Sequence, residues 1–548
     1  MPDLQPHKII NGLSRRTLLA ASATAIGATV VGCSSADRSA PEAATQQGEL
    51  TLPTHVPYTK VKPDLPPGGY GVPAGFFEYP EPPHAMGKVP LPSVDTVSML
   101  LQGNPPAVAF AKNSMYDKLT TDAGAQFDIA YGGYVEYKDK FQVTMAGDNL
   151  PDVVMMIGVP QLPKLLESRF TDLSDYLSGD RIKDYPGLAS IPEACWDVPV
   201  LNGGLWGVSK ARPSSEGKVL LARGDLLQKK GIAAPPELAD GEEFLSLLDE
   251  LTDPKADRFA MGADPTSWLM PLLLEMHGAP NGWSEQGGSF VHAYESEEMV
   301  AALEQAAKIW ATGYLHPKSI SESGSNYTWW EAGTTALYID GVAGWTTHAR
   351  TQPKWGVDGV VAPAWDGSGP AAKHEGEAGY GAYAAIRKQE SKGRVEEILR
   401  IMDYIASPFG TQEWLTVNFG VEGKHYTMKN GNPLVTDLFA QEAFAVNYLG
   451  AQSGAQLYVP EQPDVVKRQH EYLTAVMADT VKDASTRLYS ETAVSRGATE
   501  QQKMVDAQLE IIQGRRPVSE WTTVAERWTQ AVGNRMRDEY EAAFDATR

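Results

Sequence analysis

The sequence predicts an α/β fold with mainly parallel sheets, divided into two or more lobes. Three observations carry this expectation. From about residue 93 onward, short apolar runs of strand length alternate with amphipathic stretches of helix length. The 548 residues exceed what one small core fills. The hydrophobic content of 42% and the charged content of 21% are those of a globular chain, and no segment beyond the first thirty or so residues is apolar enough to span a bilayer.

The opening stretch is of another kind. Ser14-Arg15-Arg16-Thr17-Leu18-Leu19 is followed by an apolar run to Val31 and then by Gly32-Cys33. The run is rich in Ala, Ser, Thr and Gly and, at about 14 residues, too short for a membrane span of roughly 20. Its layout is that of an export signal of the twin-arginine type. Val30-Val31-Gly32-Cys33 resembles a lipobox, in which the cysteine receives lipid and becomes the new N-terminus. Residues 1–32 are therefore read as a lipoprotein signal peptide and Cys33 as the lipid anchor. Residues 33–92 hold many of the 38 prolines and read as a flexible tether.

The globular part follows in order. Strands are expected at 94–101, 127–130 and 152–157, with helices at 137–145 and 164–177. Residues 201–208 (LNGGLWGV) read as a hairpin around Gly203-Gly204. A strand at 219–222 precedes helices at 224–230 and 241–251. Residues 297–312 place apolar side chains at helical spacing and stop at Gly313, the residue that best ends a helix. A strand at 336–339 runs into an Asp340-Gly341 turn, and 394–406 is an amphipathic helix. The tail, 460–484, 495–514 and 518–547, is mostly helical.

Composition excludes several functions. The formal charge of -22 argues against nucleic acid or an anionic membrane surface as partner. Of the two cysteines, Cys195 has no partner once Cys33 carries lipid, and it reads as a small buried apolar residue. The sequence holds no Gly-x-Ser-x-Gly elbow, phosphate-binding glycine loop or His-Glu-x-x-His, and its ten histidines lack metal-ligand spacing. Neither cofactor nor metal is expected. Thirteen tryptophans remain, several beside turn residues. A flat aromatic face suits the C–H face of a pyranose, so tryptophans on loops point to a carbohydrate cleft. Trp310 and Trp414, at helical core positions, are expected to pack inside.

From Ser93 to Arg548 the chain resembles the extracellular solute-binding proteins of ABC importers, in the carbohydrate-binding group and near the alginate-oligosaccharide binders. The landmarks occur in family order. They are Ala146-Gly147-Asp148-Asn149-Leu150-Pro151-Asp152-Val153-Val154, then Leu201-Asn202-Gly203-Gly204-Leu205-Trp206-Gly207-Val208, then Arg223-Gly224-Asp225-Leu226-Leu227 with Gly231-Ile232 and Pro235-Pro236. Glu331-Ala332-Gly333-Thr334-Thr335-Ala336-Leu337 leads to Asp340-Gly341. The last are Asp403-Tyr404-Ile405-Ala406-Ser407-Pro408-Phe409-Gly410 and Asn418-Phe419-Gly420-Val421-Glu422-Gly423-Lys424-His425-Tyr426. Residues 252–259 depart from the calcium loop of the alginate-binder branch, being too short and carrying Lys255 where a ligand belongs, so no calcium site is expected.

The resemblance implies a two-lobed, periplasmic-binding-protein-like α/β fold of type II, with a hinge of crossing strands and a ligand cleft between the lobes. It implies lobe 1 at 93–210 and 336–370, lobe 2 at 211–335 and 371–548, and crossovers near 209–220, 332–345 and 379–385. It implies a monomer that takes a carbohydrate, hands it to permease subunits, is held to the bilayer through Cys33, and catalyses nothing. Trp268, Trp345 and Tyr380 are placed at the cleft, with Trp206, Trp329 and Trp330 as further stacking candidates. Of the adjacent pair Trp329 and Trp330, at most one can face a ligand. Asp340 and Glu422 would accept hydrogen bonds from sugar hydroxyls, and Asn104 and Asn418 would donate and accept. A binder of another solute class such as peptides, or a secreted polysaccharide-degrading enzyme, are the rival readings. A pocket of charged residues would favour the first, and two carboxylates facing across the cleft the second.

Overall fold

The computed structural model describes residues 50–133, 136–211, 217–376, 382–452 and 454–546. These belong to one compact unit, Gln47–Arg548. The expected signal peptide, Cys33 and Tyr380 lie outside the described residues, as do parts of two expected crossovers.

Two sheets organise the body. Their strands are β1 (Val97–Gln102), β2 (Phe127–Gly132), β3 (Val153–Met156), β4 (Val208–Ser209), β5 (Val219–Arg223), β6 (Phe259–Met261), β7 (Thr335–Asp340), β8 (Val357–Val360) and β9 (Tyr383–Ile386). Sheet one has the order β2-β1-β3-β9-β4 and sheet two the order β8-β5-β7-β6. β1 pairs in parallel with β2 and β3, whereas β9 is antiparallel to β3 and β4. β5 is antiparallel to β7 and β8, and β7 is parallel to β6. Both sheets are thus mixed where parallel sheets were expected, because each takes in one strand entering from the other.

This pairing corrects the lobe boundaries. Residues 336–370 belong with β5 in sheet two, where Leu337 faces Ala222 and Gly359 faces Leu221. The return strand of sheet one is β9, with Ile386 opposite Val153. No crossover occurs at 332–345. The chain leaves sheet one after Ser209, enters sheet two at Val219, and returns between Val360 and Tyr383.

Each sheet has its own core. Sheet one packs against α1 (Ser114–Ala123) and α2 (Lys392–Ile405), with Leu101, Leu119, Val154, Ile386 and Leu399 buried together. Sheet two is covered on both sides, so β5 is buried at every residue. Leu220 and Ala222 face one core with the helix Glu297–Thr312, and Val219 and Leu221 face another with Trp345 and Tyr472. The helix Glu297–Thr312 begins at a Ser296 side chain that accepts from Met299 N and ends at Gly313 with φ 83°, the two caps its sequence announces. The LNGGLWGV hairpin turns at Asn202 and Gly203, φ 48° and 76°, the pair of positive angles a tight two-residue hairpin requires.

The proline-rich segment is docked from Leu50 onward, against expectation. Gly75–Phe76 pairs in parallel with Leu457–Tyr458. Phe76 and Tyr79 are buried with Phe409, Trp414 and Tyr458, and the Tyr79 hydroxyl donates to Thr411 O at 2.6 Å. Prolines keep this strip extended while its few aromatic residues supply the anchors.

Candidate ligand cleft

Strand direction locates the cleft. β1, β2, β3 and β4 end at one edge of sheet one, and β6, β7 and β8 end at the edge of sheet two where β5 begins. The connection from β4 to β5 spans only residues 210–218, which at about 3.4 Å each reaches on the order of 30 Å. It joins these two edges, as does the connection from β8 to β9. The edges therefore face each other, and the carboxyl ends of strands at such a crossing are where α/β proteins hold ligands.

The sheet-two edge carries Trp268. Asp264 follows β6 and its Oδ1 accepts from Thr266 N at 3.0 Å, Ser267 N at 2.8 Å and Thr266 Oγ1 at 2.8 Å. Those bonds start the helical turn Pro265–Leu269, which presents Trp268 partly exposed. Lys218, at the start of β5, places its Nζ 4.5 Å from the centroid of the Trp268 ring and donates to Ser267 O. Beneath them Lys373 and Glu275 form a buried ion pair at 2.7 Å. Lys373 Nζ also donates to Lys218 O, and Glu275 Oε1 accepts from His374 N at 3.2 Å. One ion pair thus ties the sheet-two ends of both connections.

Asp340 ends β7 at the same edge, but its carboxylate is engaged. Oδ1 accepts from Gly341 N at 2.8 Å and Oδ2 lies 3.2 Å from His348 Nε2. Asn104 follows β1 at the sheet-one edge, where it is exposed and its side chain makes no hydrogen bond among the described residues. The structure therefore brings Trp268, Asp340 and Asn104 to the facing edges.

Of the other candidates, Trp345, Trp330 and Trp206 are buried, and Trp329 packs against Gly262 directly after β6. Trp345 is fully buried and its indole donates to Val357 O at 3.0 Å, so it leaves no face for a sugar. Trp330 is equally buried, while its neighbour Trp329 is partly exposed and stacks on His316 at 3.8 Å. The adjacent pair splits as helical geometry requires. Trp206 is 7% exposed and donates to Leu201 O, packing under Gly204, where a Cβ would meet its ring at 2.8 Å. Asn418 donates to Trp414 O within its helix, and Glu422 is exposed on the turn before the hairpin Tyr426–Lys429 and Asn432–Val435. Trp414 is in the core as expected, and Trp310 packs against one.

Several sequence landmarks prove to be braces of the fold. Asp152 accepts from Ser98 N and Oγ at 3.0 Å and pairs with Arg387 at 3.0 Å. Burial raises its pKa, but those partners outweigh burial and hold the carboxyl below its usual value. His425 is buried against Glu442 at 2.9 Å, and Glu442 Oε2 also accepts from Ser114 N at 2.7 Å at the start of α1. Arg223 pairs with Asp225 at 2.7 Å and lies 4.1 Å from the centroid of the Trp355 ring. Residues 252–258 close as a tight turn in which Asp253 accepts from Lys255 N at 3.2 Å.

Sequence reasoning missed Lys218, Lys373 and Glu275. The available signal was a lysine directly before the strand that follows the first crossover. A cavity of about 570 Å³ bounded by Leu50, Asp172, Ser174 and Arg181 lies at neither edge.

Residues 114–419 match the model of the bacterial extracellular solute-binding proteins. The chain belongs to this family. It is 23% identical over 450 residues to the polygalacturonan/rhamnogalacturonan-binding protein YtcQ of Bacillus subtilis, covering 78% of this chain and 86% of that protein. Its fold is shared with the alginate-binding protein AlgQ2, at a TM-score of 0.56 and 16% identity, covering 83% of this chain and 98% of that one. The N-glycan transport solute-binding protein of Streptococcus pneumoniae superposes with a TM-score of 0.58 at 14% identity, covering 83% of this chain and 100% of that one. These neighbours share the two-lobed α/β fold that the resemblance implied. The family is one of exported solute binders, and the relatives are binding proteins rather than enzymes. No helix among the described residues is long and apolar enough to cross a membrane.

Proposed function

We propose that this solute-binding protein captures an oligosaccharide between the facing edges of its two sheets and delivers it to the permease of an ABC importer. The observation that carries this is Trp268, an aromatic face fixed by the Asp264 cap at the edge of sheet two, opposite Asn104 on sheet one. The saccharide ligands named for the relatives support the same reading. The two halves act as lobes: one formed by sheet one with residues 382–452, the other by sheet two with most of the helical tail. Ligand shifts the balance toward a closed form by its differential affinity for that form. The protein works as a monomer, exported through its twin-arginine signal and held at the outer face of the membrane by lipid on Cys33. Capture involves no chemistry at the sugar.

Thermal unfolding with a panel of mono- and oligosaccharides tests the reading, with the sugars re-analysed afterwards. A ligand at 100 times its Kd adds about 2.7 kcal/mol of stability. A shift with the sugar recovered intact is expected. A consumed sugar would indicate an enzyme, and no shift with any saccharide would remove the reading. Metabolic labelling with radioactive palmitate should mark the wild-type protein and not Cys33→Ser; unlabelled wild type would remove the anchor.

A further inference from the structure

Stacking of a sugar on Trp268 leaves the ammonium of Lys218 without a role. It lies over the indole at 4.5 Å and donates to Ser267 O. No carboxylate forms an ion pair with it among the described residues. The two described acids that act on it are committed: Glu275 to Lys373 and His374 N, and Asp264 Oδ1 to the three bonds that start the Trp268 turn.

Its position is fixed from both sides. Lys218 O accepts from Lys373 Nζ. Gly217 has φ 54°, and a Cβ there would meet His374 O at 2.4 Å. Burial holds the lysine pKa below its usual value; Glu275 and Asp264 pull it back, and the Lys373 charge pushes the same way as burial. A partly desolvated ammonium gains more from an anion than a solvated one does. Among the described residues Lys218 is thus a fixed cation with no carboxylate ion-pair partner at the cleft edge, in a chain of formal charge -22.

We propose that Lys218 receives a sugar carboxylate beside Trp268, so that the ligand is an acidic oligosaccharide built of uronic acids. The proposal rests on the oligosaccharide reading above and narrows it. A uronic acid presents an apolar C–H face and a carboxylate on the same ring, which are the two groups that the Trp268 indole and the Lys218 ammonium complement.

The test is calorimetric titration of the purified chain with homo-oligomers of galacturonate and mannuronate, their methyl esters, and neutral hexose oligomers of equal length. Esterification and Lys218→Gln are each expected to lower affinity about tenfold or more, the loss of one charge-assisted hydrogen bond. Lys218→Gln should lose nothing further on the ester, and Lys218→Arg should stay within about threefold of wild type for the acid. Wild-type affinity for the acid should fall with added salt, and that of Lys218→Gln should not. Equal affinity of wild type for acid and ester overturns the proposal without recourse to any variant. So does Lys218→Gln keeping its uronate affinity at unchanged Tm. Tighter binding of neutral oligomers leaves the oligosaccharide reading standing and this one overturned. Binding of no saccharide overturns both.

Discussion

The two sheets meet across the cleft with different chemistry. The edge of sheet two carries an aromatic ring and a cation, each held by a second layer of hydrogen bonds. The edge of sheet one offers Asn104, a short polar side chain with freedom to turn. Their interiors differ as well. On the side of sheet two the buried charges are paired, Lys373 with Glu275 and Asp358 with Arg468. On the side of sheet one Asp152 pairs with Arg387 and Glu442 lies against His425, while the half-buried Asp403 accepts from Gly187 N and Leu188 N and meets no cation among the described residues.

The largest effects test the interiors. Trp345→Ala should cost about 3–5 kcal/mol of stability by opening a cavity beside Tyr472, and the fraction that stays folded should bind ligand like wild type. A Tm within a degree or two of wild type would deny Trp345 its core role. Asp403 comes next. Burial pushes its pKa up to about 7, against the lowering bonds from Leu188 N and Gly187 N. The folded state holds this proton more tightly than the unfolded state, so the stability it contributes is full below about pH 4 and is lost as pH rises through 7. The span amounts to about 4 kcal/mol. Denaturant titrations of Asp403→Asn should lose most of that slope; an unchanged slope would move the sensitivity elsewhere, first to Asp358, whose pKa burial raises to about 6 against the pull of Arg468.

Smaller effects test the edges. Trp268→Ala should weaken ligand binding about thirtyfold, roughly 2 kcal/mol, the scale of an aromatic hot spot, with Tm nearly constant. Asn104→Ala should weaken it about threefold to fivefold, one net hydrogen bond. If the Asn104 change proves the larger, the grip lies on sheet one and the contrast between the edges is reversed.

How much of this the residues announce depends on the range of the interactions. The helix Glu297–Thr312 is legible because Ser296 and Gly313 are local signals and its apolar spacing is periodic. The partner of a strand is not local. Residues 336–339 read as a strand correctly, yet nothing in their pattern says that they pair with Ala222 rather than with Val154. The same limit sorts the tryptophans: Trp268 and Trp345 both follow turn residues, and only packing from the distant Val357 and Tyr472 makes one of them core. Composition misled at the proline-rich segment, where an average over the window hides Phe76 and Tyr79.

The docking of that segment bears on where the protein operates. With lipid on Cys33, a free tether ending at residue 92 would be about 60 residues long and would reach on the order of 200 Å at about 3.4 Å per residue. Because the chain is fastened to the body from Leu50, only about 16 residues remain between anchor and body, an outer limit near 55 Å even at full extension. With the proposed anchor, the protein would be leashed rather than roaming, and a loaded cleft would meet a transporter mouth by turning as much as by travelling.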